Sequence, residues 1–339
     1  MALRPYDFND LSVMLGYEVR VLTYIEKIKN RLYFSYYVPK PDGSRREINT
    51  YLHKRVKPNM EIDYVQLRML DDEDLEKLLE ASKTLSQIHK RINSVLFDNI
   101  ELPPCVHGFV KGESIRNAIT PHIGKDYVVA LDIHSFFPSV KSDYVLDSLM
   151  NFGYGREAAW LVARLVSYKG VLPQGAITSP MAANIAFAPV DFAIMNICTP
   201  HGITYTRYAD DLVFSANFKL DEQIEQIITV VQNAGYTINR KKIKKYGPKE
   251  PHYILGTVAN SKINLPREKR RNLEAAIFNF VIKHQLPYGK EPASYKKTLL
   301  GQANYMLSMN PSLGRLARLR NELRQFDVDG IQFSNIFIA

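Results

Sequence analysis

Two adjacent carboxylates, Asp210 and Asp211, interrupt an otherwise apolar stretch of the chain. The residues at 205–208 alternate with a period of two, and the run at 212–214 is apolar with a β-branched and an aromatic residue, so the pattern predicts two strands joined by a tight turn. Adjacent acids at a tight turn repel each other, and a fold that places them there gains something in return. Binding of a divalent cation is such a gain. An exposed Asp-Asp hairpin turn is the alternative that this stretch leaves open.

The rest of the chain predicts a mixed fold. Strands are expected at 32–38 and 45–51, joined by the turn Pro41-Asp42-Gly43, at 128–131, and in a second hairpin near 253–263. Helices are expected at 8–31, from the acidic start at 71 to Val95, twice between 141 and 168, at 179–198, at 220–234 and from Arg267 onward. Strands and helices thus alternate in the middle of the chain between helical flanks, which indicates an α+β core with appended lobes.

A third carboxylate, Asp132, follows the apolar run Val128-Val129-Ala130-Leu131. An acid at the carboxyl end of a buried strand either caps the following turn or serves as a ligand. A central sheet that carries Asp132 beside Asp210 and Asp211 gathers three carboxylates, which suit two hard cations. Two such cations activate an attacking hydroxyl and stabilise a leaving pyrophosphate, without a histidine base or a nucleophilic side chain.

Two further segments lie near these acids in the chain. Pro173-Gln174-Gly175 precedes Ser179-Pro180, which reads as a helix N-cap followed by proline at the first helical position; the glycine permits close approach of the backbone to a ligand. The run from Arg240 to Lys245 has five basic residues in six positions. Taken alone, the first segment is a loop with a helix start and the second is a solvated face.

The composition of the chain indicates which classes of binding partner it suits. The chain has 339 residues with 44 Lys and Arg against 35 Asp and Glu, a formal charge of +9 that suits a polyanionic partner. Its 20 tyrosines and 16 phenylalanines suit both core packing and stacking on nucleobases. Cys105 and Cys198 form no metal or disulfide pattern, and we find neither a signal-peptide core nor an uninterrupted apolar run of membrane-spanning length. We therefore expect a soluble, cytoplasmic protein with no membrane partner.

In their order along the chain, five motifs resemble the successive palm motifs of reverse transcriptases. They are Leu131-Asp132 with Phe136-Phe137, Pro173-Gln174-Gly175 with Ser179-Pro180, Tyr208-Ala209-Asp210-Asp211, Gly235 with Asn239 and Lys242, and Leu255-Gly256. The resemblance implies an α+β right-hand polymerase with fingers, a palm built on an RRM-like antiparallel sheet, and a helical thumb. We expect the fingers and N-terminal helices at 1–125, interleaved with the palm, the palm with the catalytic motifs at 126–262, and the thumb with the C-terminal tail at 263–339.

The resemblance also implies roles for single residues. Asp132, Asp210 and Asp211, helped by the Ile133 carbonyl, would hold two Mg²⁺ ions, with Mn²⁺ as the alternative metal. Lys242 would protonate the departing pyrophosphate and so completes the catalytic set. The residues implied for nucleotide binding are Arg46 at the triphosphate, Phe137 as a steric gate against a 2′-hydroxyl, Gln174 at the sugar, and Gly175. The residues implied for primer and template binding are Tyr208, Leu255, Gly256, Arg267, Arg270 and Arg315.

Among reverse transcriptases the chain looks most like those of bacterial retrons, through the run from His107 to Gly124 ahead of Asp132. Within this run Asn117 and His122 are candidates for RNA recognition, although a lone histidine before a buried strand is more often structural. Two departures concern the subtype rather than catalysis. His122 lies four residues after Ala118, where retrons typically have three, and Ile254-Leu255-Gly256 stands where Val-Thr-Gly is common.

The retron resemblance implies an RNA-directed DNA polymerase that uses dNTPs to copy a structured noncoding RNA, which is its template and, if a 2′-hydroxyl starts the chain, its primer. The product would be multicopy single-stranded DNA (msDNA), made through an RNA–DNA hybrid, and the setting would be anti-phage defence with a separate effector protein. Two alternatives stay open: another bacterial defence reverse transcriptase that makes unbranched or repetitive DNA, and a non-catalytic RNA-binding scaffold or antitoxin. The acidic segment 71–80 is either a solvated helix or a face for a protein partner.

Overall fold

The computed structural model of the chain describes residues 4–40, 43–54 and 70–336. The helices, in chain order, are α1 (Phe8–Leu15), α2 (Val19–Ile28), α3 (Asp72–Arg91), α4 (Ile115–Ile119), α5 (Phe136–Ser139), α6 (Ser142–Asn151), α7 (Arg156–Leu165), α8 (Ser179–Cys198), α9 (Asp221–Asn233), α10 (Arg267–Val281), α11 (Pro292–Met309) and α12 (Gly314–Gln325). The strands are β1 (Tyr33–Pro39), β2 (Arg45–Tyr51), β3 (Tyr127–Asp132), β4 (Thr204–Tyr208), β5 (Asp211–Ala216), β6 (Lys244–Tyr246), β7 (Tyr253–Ile254), β8 (Thr257–Ala259), β9 (Ile263–Asn264), β10 (Gln285–Pro287) and β11 (Ser334–Ile336).

The chain divides into two compact units. The first comprises Met1–Ser114, Val129–Phe214 and Lys219–Lys244, and the second comprises Ile115–Val128, Ser215–Phe218 and Lys245–Ala339. Each unit is therefore assembled from separated stretches of chain, and neither is one continuous segment.

The N-terminal helix predicted over 8–31 is broken at Gly16. Asp7 caps α1 by accepting hydrogen bonds from the backbone N–H groups of Asn9 and Asp10, and Gly16 ends it in the left-handed conformation with φ of 72°. Glycine adopts this conformation at little cost, so the chain turns here and resumes as α2. The expected single helix is thus corrected to two.

The first predicted hairpin is present. Strands β1 and β2 pair antiparallel, with Tyr33 opposite Tyr51. Of the predicted turn, Pro41 and Asp42 lie outside the described residues. The helix start predicted in the acidic segment is also confirmed, because the Asp71 carboxylate accepts from the Asp74 backbone N–H at 2.7 Å and α3 follows.

A four-stranded sheet in the order β4-β5-β3-β6 carries the motif strands. Helix α8, which packs against α6 and α9, begins at Ser179 with Thr178 as its N-cap, so the expected N-cap at Ser179 is wrong by one residue. The Ser179 hydroxyl instead donates to the Pro173 carbonyl at 2.6 Å. By length and composition Ser179–His201 would pass for a membrane span, but 67% of the window is buried inside the protein, as in the core helix of a globular protein.

The second unit contains an antiparallel sheet of β7, β8 and β9 and the mutually packed helices α10, α11 and α12. The sequence predicts only helix after Arg267, and the structure corrects this by adding the parallel pair β10–β11. That pairing joins residues nearly fifty positions apart, so no local pattern announces it. Phe280 packs with Phe326 and Phe333 beside it, at centroid distances of 5.5 and 5.1 Å.

Candidate active site

The Asp-Asp turn joins β4 to β5 as predicted. Strand β4 ends at Tyr208 and β5 begins at Asp211, which leaves Ala209, with φ of 57°, and Asp210 in the turn. The Ile133 backbone N–H donates to the Asp210 carbonyl at 3.0 Å. Because Ile133 directly follows the end of β3, this bond brings Asp132 beside the turn, and the three carboxylates meet at one end of the sheet.

A fully buried ion pair holds the turn from behind. The Arg207 guanidinium donates to the Asp191 carboxylate at 2.6 to 3.1 Å, and both side chains have no exposed surface. The Tyr205 hydroxyl donates to the same carboxylate at 2.7 Å. Arg207 Nη1 donates to Asn184 Oδ1 at 2.9 Å and to the Ala209 carbonyl at 3.2 Å. The last bond anchors the turn to the core through a pair that is costly to break, because removal of one partner leaves a buried charge.

The surrounding protein disfavours the charged forms of both carboxyls of the turn. Burial raises the pKa of Asp210, and the neighbouring Asp132 raises it further. Burial, with repulsion by Asp210 and then Asp132, raises the pKa of Asp211 to about 6. A cation bound beside these carboxyls would favour their charged forms.

Lys242 supplies a positive charge to this group. Its Nζ lies 2.9 and 3.1 Å from the two carboxylate oxygens of Asp132, and this pairing raises the pKa of the Lys242 ammonium. The Asn239 backbone N–H donates to the Asp132 carbonyl at 2.8 Å, which fixes the short helical turn Arg240–Lys242 next to β3. Within the basic run, Lys242 thus pairs with the acids, whereas Lys241 and Lys245 do not line the cavity in front of them.

A cavity of about 580 Å³ opens in front of the acids. The site residues predicted from sequence that line it are Arg46, Asp132, Ile133, Phe137, Gln174, Asp210 and Lys242. Ser135, Phe136 and Asn239 line it as well, and Lys40, Ser44, Arg45 and Glu47 come from the β1–β2 hairpin. The lining therefore holds both cations and carboxylates, which together suit a phosphorylated ligand with bound metal.

The loop that carries Gln174 and Gly175 is fastened to β2. The Asn49 backbone N–H donates to the Gln174 carbonyl at 2.7 Å, and a Cβ on Gly175 would lie 2.7 Å from the Asn49 carbonyl oxygen. Gly175 also has φ of 128°, a conformation that excludes a side chain. The predicted close approach is thus an approach to β2.

A buried tyrosine and histidine hold the other end of this loop. The Ile177 backbone N–H donates to the Tyr51 hydroxyl at 3.0 Å, and that hydroxyl lies 2.7 Å from His89 Nδ1. His89 Nε2 lies 3.0 Å from the Leu165 carbonyl, so we assign Nε2 as the protonated nitrogen and Nδ1 as the acceptor. Burial lowers the pKa of His89 to about 4, and the imidazole is neutral at physiological pH.

The segment 105–110 lies alongside β4 and adds an aromatic residue to the site. Val106 pairs with Arg207 as an isolated parallel bridge, and Asn184 Nδ2 donates to the Gly108 carbonyl at 2.7 Å. The Phe109 ring, 46% exposed with φ of 62° at its backbone, lies 6.3 Å by centroid from both Phe137 and Tyr208. Tyr208 therefore contacts this aromatic group rather than standing alone beside the turn.

The other primer and template candidates lie in the second unit. Leu255 and Gly256 form the turn between β7 and β8 and line a cavity of about 930 Å³ together with residues of α10 and α11. Arg267 begins α10 and is exposed, whereas Arg270 and Arg315 approach Glu274 at 3.9 and 3.6 Å. Arg315 keeps 72% of its side chain exposed despite this pairing.

The two RNA-recognition candidates differ in exposure. Asn117, on α4, is exposed. His122 has no exposed surface, and its Nδ1 lies 2.7 Å from the Ser215 hydroxyl oxygen. A side chain in this position orients the chain around it and does not reach a ligand in solvent.

The donor set fits a hard divalent cation, although the side chains are not arranged around one. Among the described residues, no group of three or more His, Cys, Asp or Glu side chains has a geometry that could hold a metal ion. Asp132 is paired with the Lys242 ammonium, while burial and then repulsion by Asp210 and Asp132 raise the pKa of Asp211, and a bound cation would offset both effects. All three acids supply oxygen ligands, which Mg²⁺ and Mn²⁺ prefer.

Sequence reasoning missed the positioning residues Asp191, Asn184, His89 and Phe109. One signal was available for the first of them. In β4 the period of two puts Tyr205 and Arg207 on one face, and an arginine on a buried face requires an internal carboxylate partner. The partner itself lies on α8, which only the fold brings near.

Comparison with known proteins agrees with this geometry. Residues 41–258 match the family described as "Reverse transcriptase (RNA-dependent DNA polymerase)". Retron Ec86 reverse transcriptase of Escherichia coli is 30% identical over 239 residues, covering 70% of this chain and 72% of that protein. Retron Mx65 reverse transcriptase of Myxococcus xanthus is 32% identical over 266 residues, covering 72% of this chain but 61% of that protein, which is less than two thirds of its length.

Solved structures resemble the fold at low sequence identity. A telomerase from Candida tropicalis with a fragment of telomeric RNA superposes with a TM-score of 0.52 at 10% identity, over 87% of this chain and 52% of that one. The apo telomerase from the same organism gives a TM-score of 0.50 at 10% identity, over 87% and 56%. These likenesses concern the fold alone, and they agree with the mixed α/β polymerase architecture expected from the motifs.

Proposed function

This chain belongs to the reverse transcriptase family, and on that basis we propose that it is a retron-type RNA-directed DNA polymerase that copies a structured noncoding RNA into single-stranded DNA. The observation that carries the proposal is the meeting of Asp132, Asp210 and Asp211 at one end of the sheet, with the pKa of Asp211 raised to about 6 by burial and by the other two acids. A fold that served only as an RNA-binding scaffold would gain nothing from this unrelieved repulsion.

Enzymes of this family depend on a divalent cation, and we propose Mg²⁺ as the metal, held by Asp132, Asp210, Asp211 and the Ile133 carbonyl. The bound metal would supply charge stabilisation for the attacking hydroxyl and the leaving pyrophosphate. Asp132 exchanges its pairing with Lys242 for this role, which leaves the ammonium free to hold a proton for the departing group. A lysine ammonium is protonated at neutral pH without any shift of its pKa, so Lys242 keeps that proton after the pairing with Asp132 is released.

The nucleotide-binding roles follow from the cavity in front of the acids. We propose that Arg46 meets the triphosphate, that Gln174 and Gly175 meet the sugar, and that Phe137 excludes a 2′-hydroxyl. Support comes from the cavity, which has Arg46, Phe137 and Gln174 in its lining. The fastening of the 174–177 loop to Asn49 and Tyr51 gives these side chains a fixed frame.

An RNA template and a growing DNA strand are the nucleic acid partners of a reverse transcriptase. We propose that Tyr208 contacts the primer end, that Leu255 and Gly256 grip the primer, and that Arg267, Arg270 and Arg315 contact phosphates. The domain assignment of fingers at 1–125, palm at 126–262 and thumb at 263–339 belongs to the same proposal. Asn117, as the exposed one of the two candidates, is the residue we propose for RNA recognition, and His122 supports its segment.

The biological setting is proposed by resemblance to retrons: msDNA as product, anti-phage defence, a separate effector protein and a cytoplasmic location. Free, buried thiols at Cys105 and Cys198 fit a reducing compartment. The side chains of the acidic segment 71–80 are largely exposed on α3, which fits a solvated helix as well as a face for a protein partner.

The catalytic assignment is tested by changing Asp210→Asn and Asp211→Asn together. DNA synthesis on an RNA template should be lost, while RNA affinity, measured by filter binding, should stay within about twofold because the residues proposed to contact RNA are unchanged. Synthesis that survives the double change would overturn the metal assignment.

The retron assignment is tested by sequencing the nucleic acid that copurifies with the wild-type protein, before and after treatment with RNase and debranching enzyme. A fixed-length DNA joined to RNA through a debranching-sensitive link is the expected result. Unbranched or repetitive DNA would point to another defence polymerase, and RNA without DNA would point to a scaffold.

A further inference from the structure

We propose that Phe109 is a positioning residue for the steric gate and therefore a second determinant of nucleotide selectivity. The inference rests on the proposed role of Phe137 as the gate. It concerns a residue outside the five motifs, in the segment 105–110 beside β4.

The backbone beneath Phe109 is held on both sides. The His107 backbone N–H donates to the Arg207 carbonyl at 2.9 Å, and the Arg207 backbone N–H donates to the Cys105 carbonyl at 2.7 Å. On the far side, Asn184 binds the Gly108 carbonyl, and Asn184 itself is held by Arg207. The segment that carries Phe109 is thus fixed to the same buried network as the catalytic turn.

The fit between this segment and the turn is close. A Cβ on Gly108 would lie 2.5 Å from the Ala209 backbone nitrogen, so glycine is required for the approach. Phe109 follows with φ of 62°, a conformation that costs energy for any residue with a side chain. A large, half-exposed aromatic residue kept in that conformation indicates that the direction of its ring is what the site uses.

The Phe109 ring completes the surroundings of the gate. The Phe137 ring has Phe136 on one side at 5.8 Å and Phe109 on another at 6.3 Å, measured between centroids. Phe136 is buried and packs on Phe187 at 5.7 Å, so it belongs to the core. Phe109 is the more exposed of the two neighbours, at 46% against 4% for Phe136, and it also contacts Tyr208 of the motif turn.

A steric gate discriminates only if it cannot move away. A 2′-hydroxyl is rejected because the ring beneath the sugar stays in place, and a phenylalanine side chain with free space beside it rotates about χ1 and χ2. Phe109 occupies that space. Aromatic pairs of this geometry have coupling energies that correspond to roughly 2- to 10-fold in an equilibrium or rate ratio.

The test measures single-nucleotide incorporation of a dNTP and the matching rNTP on an RNA template with an annealed DNA primer. Phe109→Ala should lower the ratio of kcat/KM for dNTP over rNTP by roughly 2- to 10-fold, mainly by raising the rNTP value. Alanine has the same backbone cost at positive φ, so this change removes the ring without relieving strain. Phe137→Ala should lower the ratio further.

The double variant Phe109→Ala/Phe137→Ala separates positioning from direct contact. If Phe109 acts through the gate, the double variant has the selectivity of Phe137→Ala alone. Two results would overturn the proposal and leave the gate assignment intact. In the first, the fold-losses in selectivity of the two single variants multiply in the double variant. In the second, Phe137→Ala lowers the dNTP/rNTP ratio while Phe109→Ala leaves it at the wild-type value. If Phe137→Ala leaves selectivity unchanged, the gate assignment itself fails.

Two controls complete the design. Phe192→Ala removes a ring of matched exposure, 48% against 46%, from the outer face of α8 and should leave selectivity at the wild-type value. Phe109→Tyr retains the ring and should therefore keep the wild-type selectivity.

Discussion

Asp211 is a residue whose charged form the fold disfavours. Its pKa of about 6 lies well above the 3.8 of an unperturbed aspartate, because burial and the two neighbouring acids disfavour the carboxylate. The folded protein therefore holds a proton more tightly than the unfolded chain does, and metal-free stability falls as pH rises from about 4 to about 6.

Asp211→Asn should stabilise the metal-free protein at neutral pH. We expect a gain on the order of 2 kcal/mol at pH 7, discounted for partial exposure, and almost none at pH 4, where Asp211 is protonated in both folded and unfolded states. Thermal unfolding in EDTA across this pH range measures the difference. A stabilisation that is independent of pH would show that ionisation of Asp211 is not its cause.

At the residue scale, the sequence predicts which residues belong to the site better than it predicts which residues contact them. Asp132 and Asp210 were found from an apolar run and a turn, because those patterns are local. A structural role for His122 was the more common alternative, but its partner Ser215 was not predicted, since Ser215 lies on β5, far along the chain. Phe109 gave no signal for a similar reason: its neighbours come from β4 and α5.

At the scale of elements, the Asp-Asp hairpin depends on contacts outside itself. Ala209 takes a left-handed conformation that Arg207, held by Asp191 on α8, stabilises from within the core. The segment 105–110 supports the other side of β4. The hairpin was predictable as a hairpin, whereas its two supports were not, because the sequence around Pro103-Pro104-Cys105 shows no strand pattern.

Gly108→Ala should abolish most of the activity of a folded protein. The added methyl would lie 2.5 Å from the Ala209 nitrogen and 3.1 Å from the Tyr208 carbonyl carbon, and these backbone atoms can yield only by moving the catalytic turn. We expect at least a roughly 10-fold fall in kcat, since small displacements of catalytic groups are costly. Steady-state DNA synthesis measures the fall in kcat, and circular dichroism checks that the variant is folded.

Gly301→Ala is the matched control for that variant. Gly301 lies inside α11 with nothing within 4 Å of the added methyl, so activity should persist and the melting temperature should rise slightly. If Gly108→Ala were as active as Gly301→Ala, the close approach to the turn would have no catalytic consequence.

At the scale of the whole molecule, basic and acidic side chains are concentrated on different helices. Helix α10 opens with one acid, Glu268, among the four bases Arg267, Lys269, Arg270 and Arg271, whereas α3 opens with Asp72, Glu73 and Asp74. Acids at a helix start are favourable and bases there are not, so α10 carries its cations against the preference of the helix dipole. An anionic partner such as a nucleic acid backbone explains that placement.

Arg267→Gln should weaken binding to an RNA–DNA hybrid and reduce its salt dependence. Each lost phosphate contact lowers the slope of log Kd against log salt by roughly 0.7 to 0.9. Fluorescence anisotropy over a range of KCl concentrations measures the slope. Lys77→Gln, in the acidic helix where Lys77 pairs with Glu73 at 2.7 Å, should leave it unchanged, and equal effects of the two variants would contradict the assignment.

The loop that carries Gln174 is tied down by the Asn49 amide at one end and the Tyr51 hydroxyl at the other, with neutral His89 behind it. Its ordering entropy is therefore lost during folding and not at each encounter with a nucleotide. If Gln174 meets the sugar as proposed, we expect this preorganised loop to receive a nucleotide without a slow rearrangement. On that proposal, we expect selection among nucleotides to depend on their shape at first contact, and the rate of each encounter to depend on diffusion and charge.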